Sequence, residues 1–189
     1  MEIGNTFFTS LAERGACDPA QEKCLRYLDA TGMPYEGLTH DPGDTIALCE
    51  QIEKKLGAPI VKNLFLCNQQ KTAFYLPIMP GPKIFKTKYL SKQIGSARLS
   101  FADAQSMEKY LGVTPGSVSV FGLINDTEKA VRLIFDREIL NEPVLGFHPC
   151  KNTATLKVTL RDLNEIFLPA VGYAPAVVDL PAVVDLPAE

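Results

Sequence analysis

The chain has 189 residues, 46% of them apolar or aromatic, with 13 Gly, 14 Pro and a formal net charge of −3. That is ample for one hydrophobic core, and it excludes collagen-like, disordered and supercharged chains. No stretch nears the ~18 to 20 consecutive apolar residues of a membrane helix, and the first residues lack a basic leader, so a cytoplasmic protein is expected.

Asp18-Pro19 followed by AQEKCLRYLDATG reads as a helix with an Asp cap, Pro at its first position and Gly32 just past its end, with Leu25 and Leu28 facing inward. Asp41-Pro42-Gly43-Asp44 is a turn leading into a second helix, Thr45 to Leu56, stopped by Gly57 and Pro59. Ile60 to Cys67 is an apolar run of strand length, and the polar break Asn68 to Lys71 leads into Thr72 to Leu76, a hairpin of core strands. After the Pro80 to Pro82 loop come a helix around Lys88 to Ile94, a strand at Arg98 to Phe101 and a helix from Ala102 to Leu111. Strands are predicted at Val118 to Ile124, Ala130 to Phe135, Val144 to Phe147 and Thr153 to Val158, then a last helix capped by Thr159 and running to about Leu168. This irregular alternation predicts an α/β fold of α+β type, a mixed, largely antiparallel sheet with helices packed around it. No GxGxxG or GxxxxGK[ST] occurs, so the dinucleotide and P-loop readings have no support. Residues 1–174 form one domain in this reading. Residues 175–189, in which Pro-Ala-Val-Val-Asp-Leu occurs twice in succession, form an extended, flexible tail.

The small net charge hides an asymmetry. From Lys54 to Ala102 there is no acid, while Lys54, Lys55, Lys62, Lys71, Lys83, Lys86, Lys88, Lys92 and Arg98 all fall inside; the other 140 residues carry ten basic and twenty-two acidic side chains. A basic region on an acidic body suits a polyanion, although solvated surface lysines would give the same count. The five cysteines are odd in number and nowhere spaced as CxxC, which fits reduced thiols and predicts no structural metal.

Few residues stand out chemically. Lys62 lies inside an apolar run, where an ammonium is costly unless its head reaches a cleft or an anion; the alternative is an outward side chain on an edge strand. Gly112 to Ser117 links a helix end to the next element with two glycines and a proline, and its amides either converge on a ligand oxygen or form a plain turn. His148, between two predicted strands, either places a water or substrate hydroxyl or is a structural histidine. Cys150 two residues on raises a Cys-His pair that the intervening Pro149 disfavours, and His40 is a ligand, a base or part of a turn. No aromatic cluster of RNP type is present.

Gly32-Met33-Pro34-Tyr35-Glu36, Val61-Lys62-Asn63-Leu64, the segment LGVTPGSVSVFGLIND from Leu111 and GFHPCKNTATLKVT from Gly146 occur together in one order. In this combination the chain resembles the YbaK/prolyl-tRNA synthetase-associated editing-domain family, most of all its free-standing alanyl-tRNA(Pro) deacylases of the PrdX/ProX type, over about residues 20 to 170. The resemblance implies hydrolysis of mischarged Ala-tRNA(Pro), with Cys-tRNA(Pro) or another small-residue ester as the rival substrate and a non-catalytic tRNA- or synthetase-binding module as the rival role. It implies that Lys62 holds a phosphate or ribose of the terminal adenosine with Asn63 beside it, and that the Pro115-Gly116-Ser117 backbone receives the substrate carbonyl. His148 would border the aminoacyl pocket, with Asn152 and Thr153 in support. Lys83, Lys86 and Lys88 would contact the tRNA(Pro) acceptor end. Prolyl-tRNA synthetase is a further partner; membrane, DNA, metal and cofactor are not expected. Val120 departs from the family pattern, which commonly has Pro before Phe-Gly, and Cys150 is not required by it.

Overall fold

Local chemistry places most elements where the sequence predicts them. In the computed structural model, which describes residues 2–42 and 45–182, the fold opens with two elements the sequence reading missed, strand β1 (Ile3–Phe8) and one helical turn α1 (Leu11–Arg14). Helix α2 (Pro19–Thr31) follows. The Asp18 carboxylate accepts the Ala20 amide at its start, and Gly32 closes it in the left-handed conformation that glycine adopts without penalty. Leu25 and Leu28 are completely buried, as their spacing predicts. Strand β2 (Glu36–His40) leads to α3 (Ile46–Leu56), capped by the Thr45 hydroxyl and burying Leu48, Ile52 and Leu56. Gly43 and Asp44 of the predicted turn lie outside the described residues, as does the second repeat copy from Val183 onward.

The predicted hairpin is present but kinked. Strands β3 (Val61–Asn63) and β4 (Leu66–Asn68) both pair antiparallel with β5 (Phe74–Pro80), and the break at Leu64-Phe65 turns the Phe65 ring into the core and its carbonyl toward the Ala102 amide. Helix α4 (Thr87–Ile94), strand β6 (Leu99–Phe101) and helix α5 (Ala104–Leu111) come next. The strand predicted at Val118 to Ile124 is instead a 3-10 turn over Val120–Asn125. Its residues Val120, Phe121, Gly122 and Leu123 are buried in succession rather than alternately, and a Cβ on Gly122 would sit 2.9 Å from both Leu111 Cβ and the Leu111 carbonyl oxygen. Close packing on the end of α5 overrides the β-propensity of the run. Strand β7 (Val131–Asp136), a short 3-10 turn, β8 (Val144–Phe147) and β9 (Ala154–Thr159) follow. The last helical segment, α6 (Leu160–Asp162) to α7 (Leu168–Val171), is capped by Thr159 as predicted and passes through a wider π turn just before Pro169, which has no amide to donate.

Among the described residues the strands form two sheets. One is antiparallel throughout, in the order β1-β2-β9-β8. The other runs β7-β5-β4-β6, with β3 also on β5; β5 and β7 are parallel and the remaining pairs named here antiparallel. The expected mixed, mainly antiparallel α/β architecture is present. The sheets meet where the Gly146 amide donates to the Pro59 carbonyl at 2.7 Å and Ile60 bridges to Gly146. A core built on Leu25, Leu28, Phe65, Phe121, Phe135, Phe147 and Phe167 fills the space against the helices.

The first copy of the terminal repeat is not a loose extension. Ala176–Val178 form strand β10, parallel to β7 at the edge of the second sheet, with Val178 and Leu180 buried against Ile134 and Leu90. Asp179 is tied on both sides, its amide to the Gln93 side chain and its carboxylate to Arg137.

Candidate active site

Helix α3, strand β3, the Pro80-Gly81-Pro82 turn, the Thr114–Ser117 turn and the loop after β8 surround a cavity of about 660 Å³ beside the junction of the sheets. Lys62, Asn63, Gly116 and His148, four of the residues singled out in the sequence, line it.

Lys62 is half-buried, and its ammonium donates to the Lys83 carbonyl at 2.7 Å. Among the described residues it makes no ion pair. Burial without a counter-charge holds its pKa below the ordinary lysine value. The turn that brings the Lys83 carbonyl to it depends on Gly81, because a Cβ there would meet the Ile60 carbonyl oxygen at 2.5 Å. Asn63 stands beside Lys62 on the cavity wall and is itself hydrogen-bonded. Its side chain accepts the Val120 amide at 2.9 Å and donates to the Val61 carbonyl at 3.2 Å, so it fastens the 3-10 turn to β3.

Thr114-Pro115-Gly116-Ser117 is a tight turn closed by the Ser117 amide on the Thr114 carbonyl, with Gly116 at φ +82°, where a side chain would be strained. Of the three expected carbonyl-binding residues, Pro115 has no N–H, Ser117 spends its amide within the turn and is buried, and Gly116 carries the remaining donor. The Asn152 amide group lies 3.7 Å from where a Gly116 Cβ would be, which brings Asn152 to the rim. Thr153 is engaged elsewhere: its carbonyl accepts the His40 amide and its hydroxyl faces Gln21 on α2.

His148 Nδ1 is 3.0 Å from the Ala154 carbonyl, which fixes the proton on Nδ1. Its ring packs 5.9 Å from that of His40. Cys150 is buried beside Cys24, whose thiol burial pushes well above its ordinary pKa, and the carbonyl partner of His148 Nδ1 leaves no Cys-His pair built on that nitrogen. His40 is structural: Nδ1 faces the Asp41 carbonyl at 2.9 Å and Nε2 the Thr155 hydroxyl at 3.0 Å, inside the fold. Burial lowers its pKa below 6.5. Unfolded chains therefore take up this proton first on acidification, so stability is complete above about pH 6.5 and falls as the pH drops toward the lowered folded value. Urea midpoints from pH 7.5 to 5 are expected to decline in wild type more than in His40→Gln.

Two carboxylates were not anticipated. Glu50 and Glu53 line the same cavity, and Glu53 also accepts the Ile60 amide at 2.8 Å, closing the α3 to β3 connection. Their i, i+3 spacing on α3, one helical face, was the available signal.

Of the lysines expected on RNA, Lys83 is withdrawn from solvent. Its ammonium pairs with Asp136 at 2.7 Å and Glu138 at 2.9 Å, with the side chain 7% exposed. Burial pulls its pKa down, but these two carboxylates outweigh it and hold the ammonium charged above the ordinary value. Lys83 is thus a structural cation. Lys86 and Lys88 are exposed and lie on a separate groove. Among the described residues no group of three His, Cys, Asp or Glu side chains converges as a metal site, and no helix is long and apolar enough to cross a membrane.

Residues 40–166 match the family model of the aminoacyl-tRNA editing domain. The chain belongs to the aminoacyl-tRNA editing domain family. One member of similar length, the prolyl-tRNA editing protein ProX of Acetoanaerobium sticklandii, is 35% identical over 147 residues, covering 78% of this chain and 90% of that protein. Prolyl-tRNA synthetase associated domain-containing protein 1 of Danio rerio is 29% identical over 110 residues, 57% of this chain and 59% of that protein. In fold, the editing domain superposes on a crystal structure described as a candidate trans-editing enzyme for prolyl tRNA synthetase with a TM-score of 0.64, at 16% identity, covering 87% of this chain and 98% of that one. The editing-domain match begins at His40 and so spans the cavity wall from α3 to β9.

Proposed function

We propose that this editing-domain protein is a cytoplasmic, free-standing deacylase that hydrolyses the ester of alanine mischarged on tRNA(Pro). The observation that carries the reading is the cavity that holds an ammonium without a carboxylate partner, Lys62, and a turn amide not used by its turn, Gly116, in a chain of this family. Such a cation matches a phosphate or ribose of the terminal adenosine. The Gly116 N–H matches the carbonyl oxygen, which becomes an oxyanion as water adds to the carbon. The ester C–O bond then breaks, releasing alanine and the ribose hydroxyl. A ribose hydroxyl of the substrate assists the water in this reading, and His148 borders the amino-acid end. Glu50 and Glu53 on the cavity wall match the positive α-amino group of the aminoacyl ester.

A second sieve of this kind answers a physical limit. A pocket that admits proline cannot reject alanine by size, because missing methylenes are worth only about 1 to 3 kcal/mol. ProX, a prolyl-tRNA editing protein by name, supports the choice of tRNA(Pro), and prolyl-tRNA synthetase is the partner expected to release the substrate. The test compares deacylation of Ala-tRNA(Pro), Pro-tRNA(Pro), Cys-tRNA(Pro) and Ala-tRNA(Ala) by the intact protein. Alanine is expected to leave tRNA(Pro) fastest. Turnover of only the cysteinyl ester reassigns the substrate, and tRNA binding with no turnover of any ester leaves a binding module.

A further inference from the structure

The acid-free segment is not one uniform patch. Lys55 is spent on the Gly4 carbonyl and Asn5, Lys71 on Asp103, and Lys83 on Asp136 and Glu138. Of the five cations left away from the cavity, Lys54 and Lys92 stand apart and three gather at one place. Lys86 and Lys88 at the start of α4 and Arg98 before β6 are exposed, make no ion pair among the described residues, and border an open groove of about 700 Å³. Two aromatic rings lie in the same groove. Phe101, on the edge strand β6, is 61% exposed while its neighbour Ala102 and Leu99 are buried, and it meets Phe85 edge to face at 6.4 Å. Finally, Ser91 lines the groove with a buried hydroxyl that has no hydrogen-bond partner. A buried, unpartnered hydroxyl on a groove wall can bond a water or a ligand oxygen that enters the groove.

From this juxtaposition we infer that the Lys86, Lys88, Arg98, Ser91 and Phe101 groove is a second RNA subsite, taking backbone phosphates on its cations and hydroxyl and one unpaired base on Phe101. The chemistry is specific to a nucleic acid strand. Cations alone fit any polyanion and an exposed ring alone fits any apolar surface, but phosphates and a stackable base arrive together on nucleotides, and three separate cations along one groove match successive phosphates of a strand. The position agrees with one ligand reaching both places. Lys62 bonds to the Lys83 carbonyl, and Lys86 is three residues further, so its Cα lies within about 11 Å of that of Lys83. This inference rests on the editing reading for the identity of the RNA, but not on ester turnover.

Binding of uncharged tRNA(Pro) and of its acceptor-stem minihelix by the intact protein, followed by fluorescence anisotropy across a salt series, tests it. For Lys86→Ala/Lys88→Ala/Arg98→Ala, affinity is expected to fall roughly tenfold or more near 0.1 M salt, with the slope of log affinity against log salt shallower by about 2 to 3. Phe101→Ala is expected to lose roughly tenfold with the slope unchanged, and Phe101→Tyr to restore it. Ser91→Ala should weaken binding a few-fold without lowering the melting temperature, since it breaks no hydrogen bond within the protein. Affinities and salt slopes equal to wild type in both the triple variant and Phe101→Ala overturn the subsite, even where deacylation is intact. Loss of binding in a protein without deacylase activity upholds the subsite and refutes the catalytic reading instead.

Discussion

Replacing Lys62 by Met is expected to lower kcat/KM for deacylation by about 100-fold or more while leaving the protein as stable as wild type or more so. Methionine keeps much of the length and apolar stem and removes the charge. The loss of rate follows from removing a charged contact to the substrate in a partly desolvated cavity, an effect of about 2.7 kcal/mol or more on the barrier. The gain in stability follows from burial. The folded state holds the Lys62 ammonium against a carbonyl but no carboxylate, and its pKa is lowered accordingly. The charged form is the penalised one, so the penalty is complete below the lowered folded value and is relieved as the pH rises through that value toward 10.5. The stability advantage of Lys62→Met should therefore be present at pH 7 and shrink at alkaline pH. Urea denaturation at two pH values and single-turnover hydrolysis give both readouts. A methionine variant that hydrolyses within threefold of wild type, or one that is plainly destabilised at pH 7, removes Lys62 from the role assigned to it.

Asp126→Ala is expected to cost the most stability of any single change considered, about 3 kcal/mol, or roughly 6 to 12 °C in melting temperature. The carboxylate is 3% exposed and accepts the Ala130 amide at 3.1 Å, the Val131 amide at 2.7 Å and the Tyr173 hydroxyl. It joins the start of β7 to the chain leaving α7, and alanine leaves the buried Val131 amide without a partner. Burial and the adjoining carboxylate push the Tyr173 hydroxyl pKa well above the ordinary tyrosine value, so this hydroxyl remains a donor at any working pH. Tyr173→Phe should cost only about 1 to 1.5 kcal/mol, because both backbone donors keep their acceptor. The double variant should cost less than the sum of the two, since both remove the same contact. Differential scanning calorimetry of the three proteins measures this. Equal losses for Asp126→Ala and Tyr173→Phe would contradict the assignment of the larger share to the backbone donors.

What the sequence revealed depended on whether the deciding partner was near in the chain. Helices α2, α3 and α5 carry their own caps in Asp18, Thr45 and Asp103 and their own stops in Gly32, Gly57 and Gly112, so periodicity and capping residues locate them. Lys62 was conspicuous as the one charge in an apolar run, and it lines the cavity. Lys83 looks like its neighbours in sequence, because its partners Asp136 and Glu138 lie more than fifty residues away across the β5 and β7 pairing. The segment Val118 to Ile124 has strand composition, yet its backbone is bent by the Asn63 side chain and the end of α5. Strand β1 has three exposed residues in its middle and so no alternation to read.

The strand β10 has a consequence for inheritance. Because Pro175 to Leu180 and Pro181 to Leu186 are the same six residues in tandem, excising either copy leaves one identical polypeptide, Ala174 joined to a single Pro-Ala-Val-Val-Asp-Leu. That shortened chain still offers β7 the same valines and the same aspartate for Gln93 and Arg137. A loss of one repeat unit would therefore leave the strand that pairs with β7 unchanged in sequence.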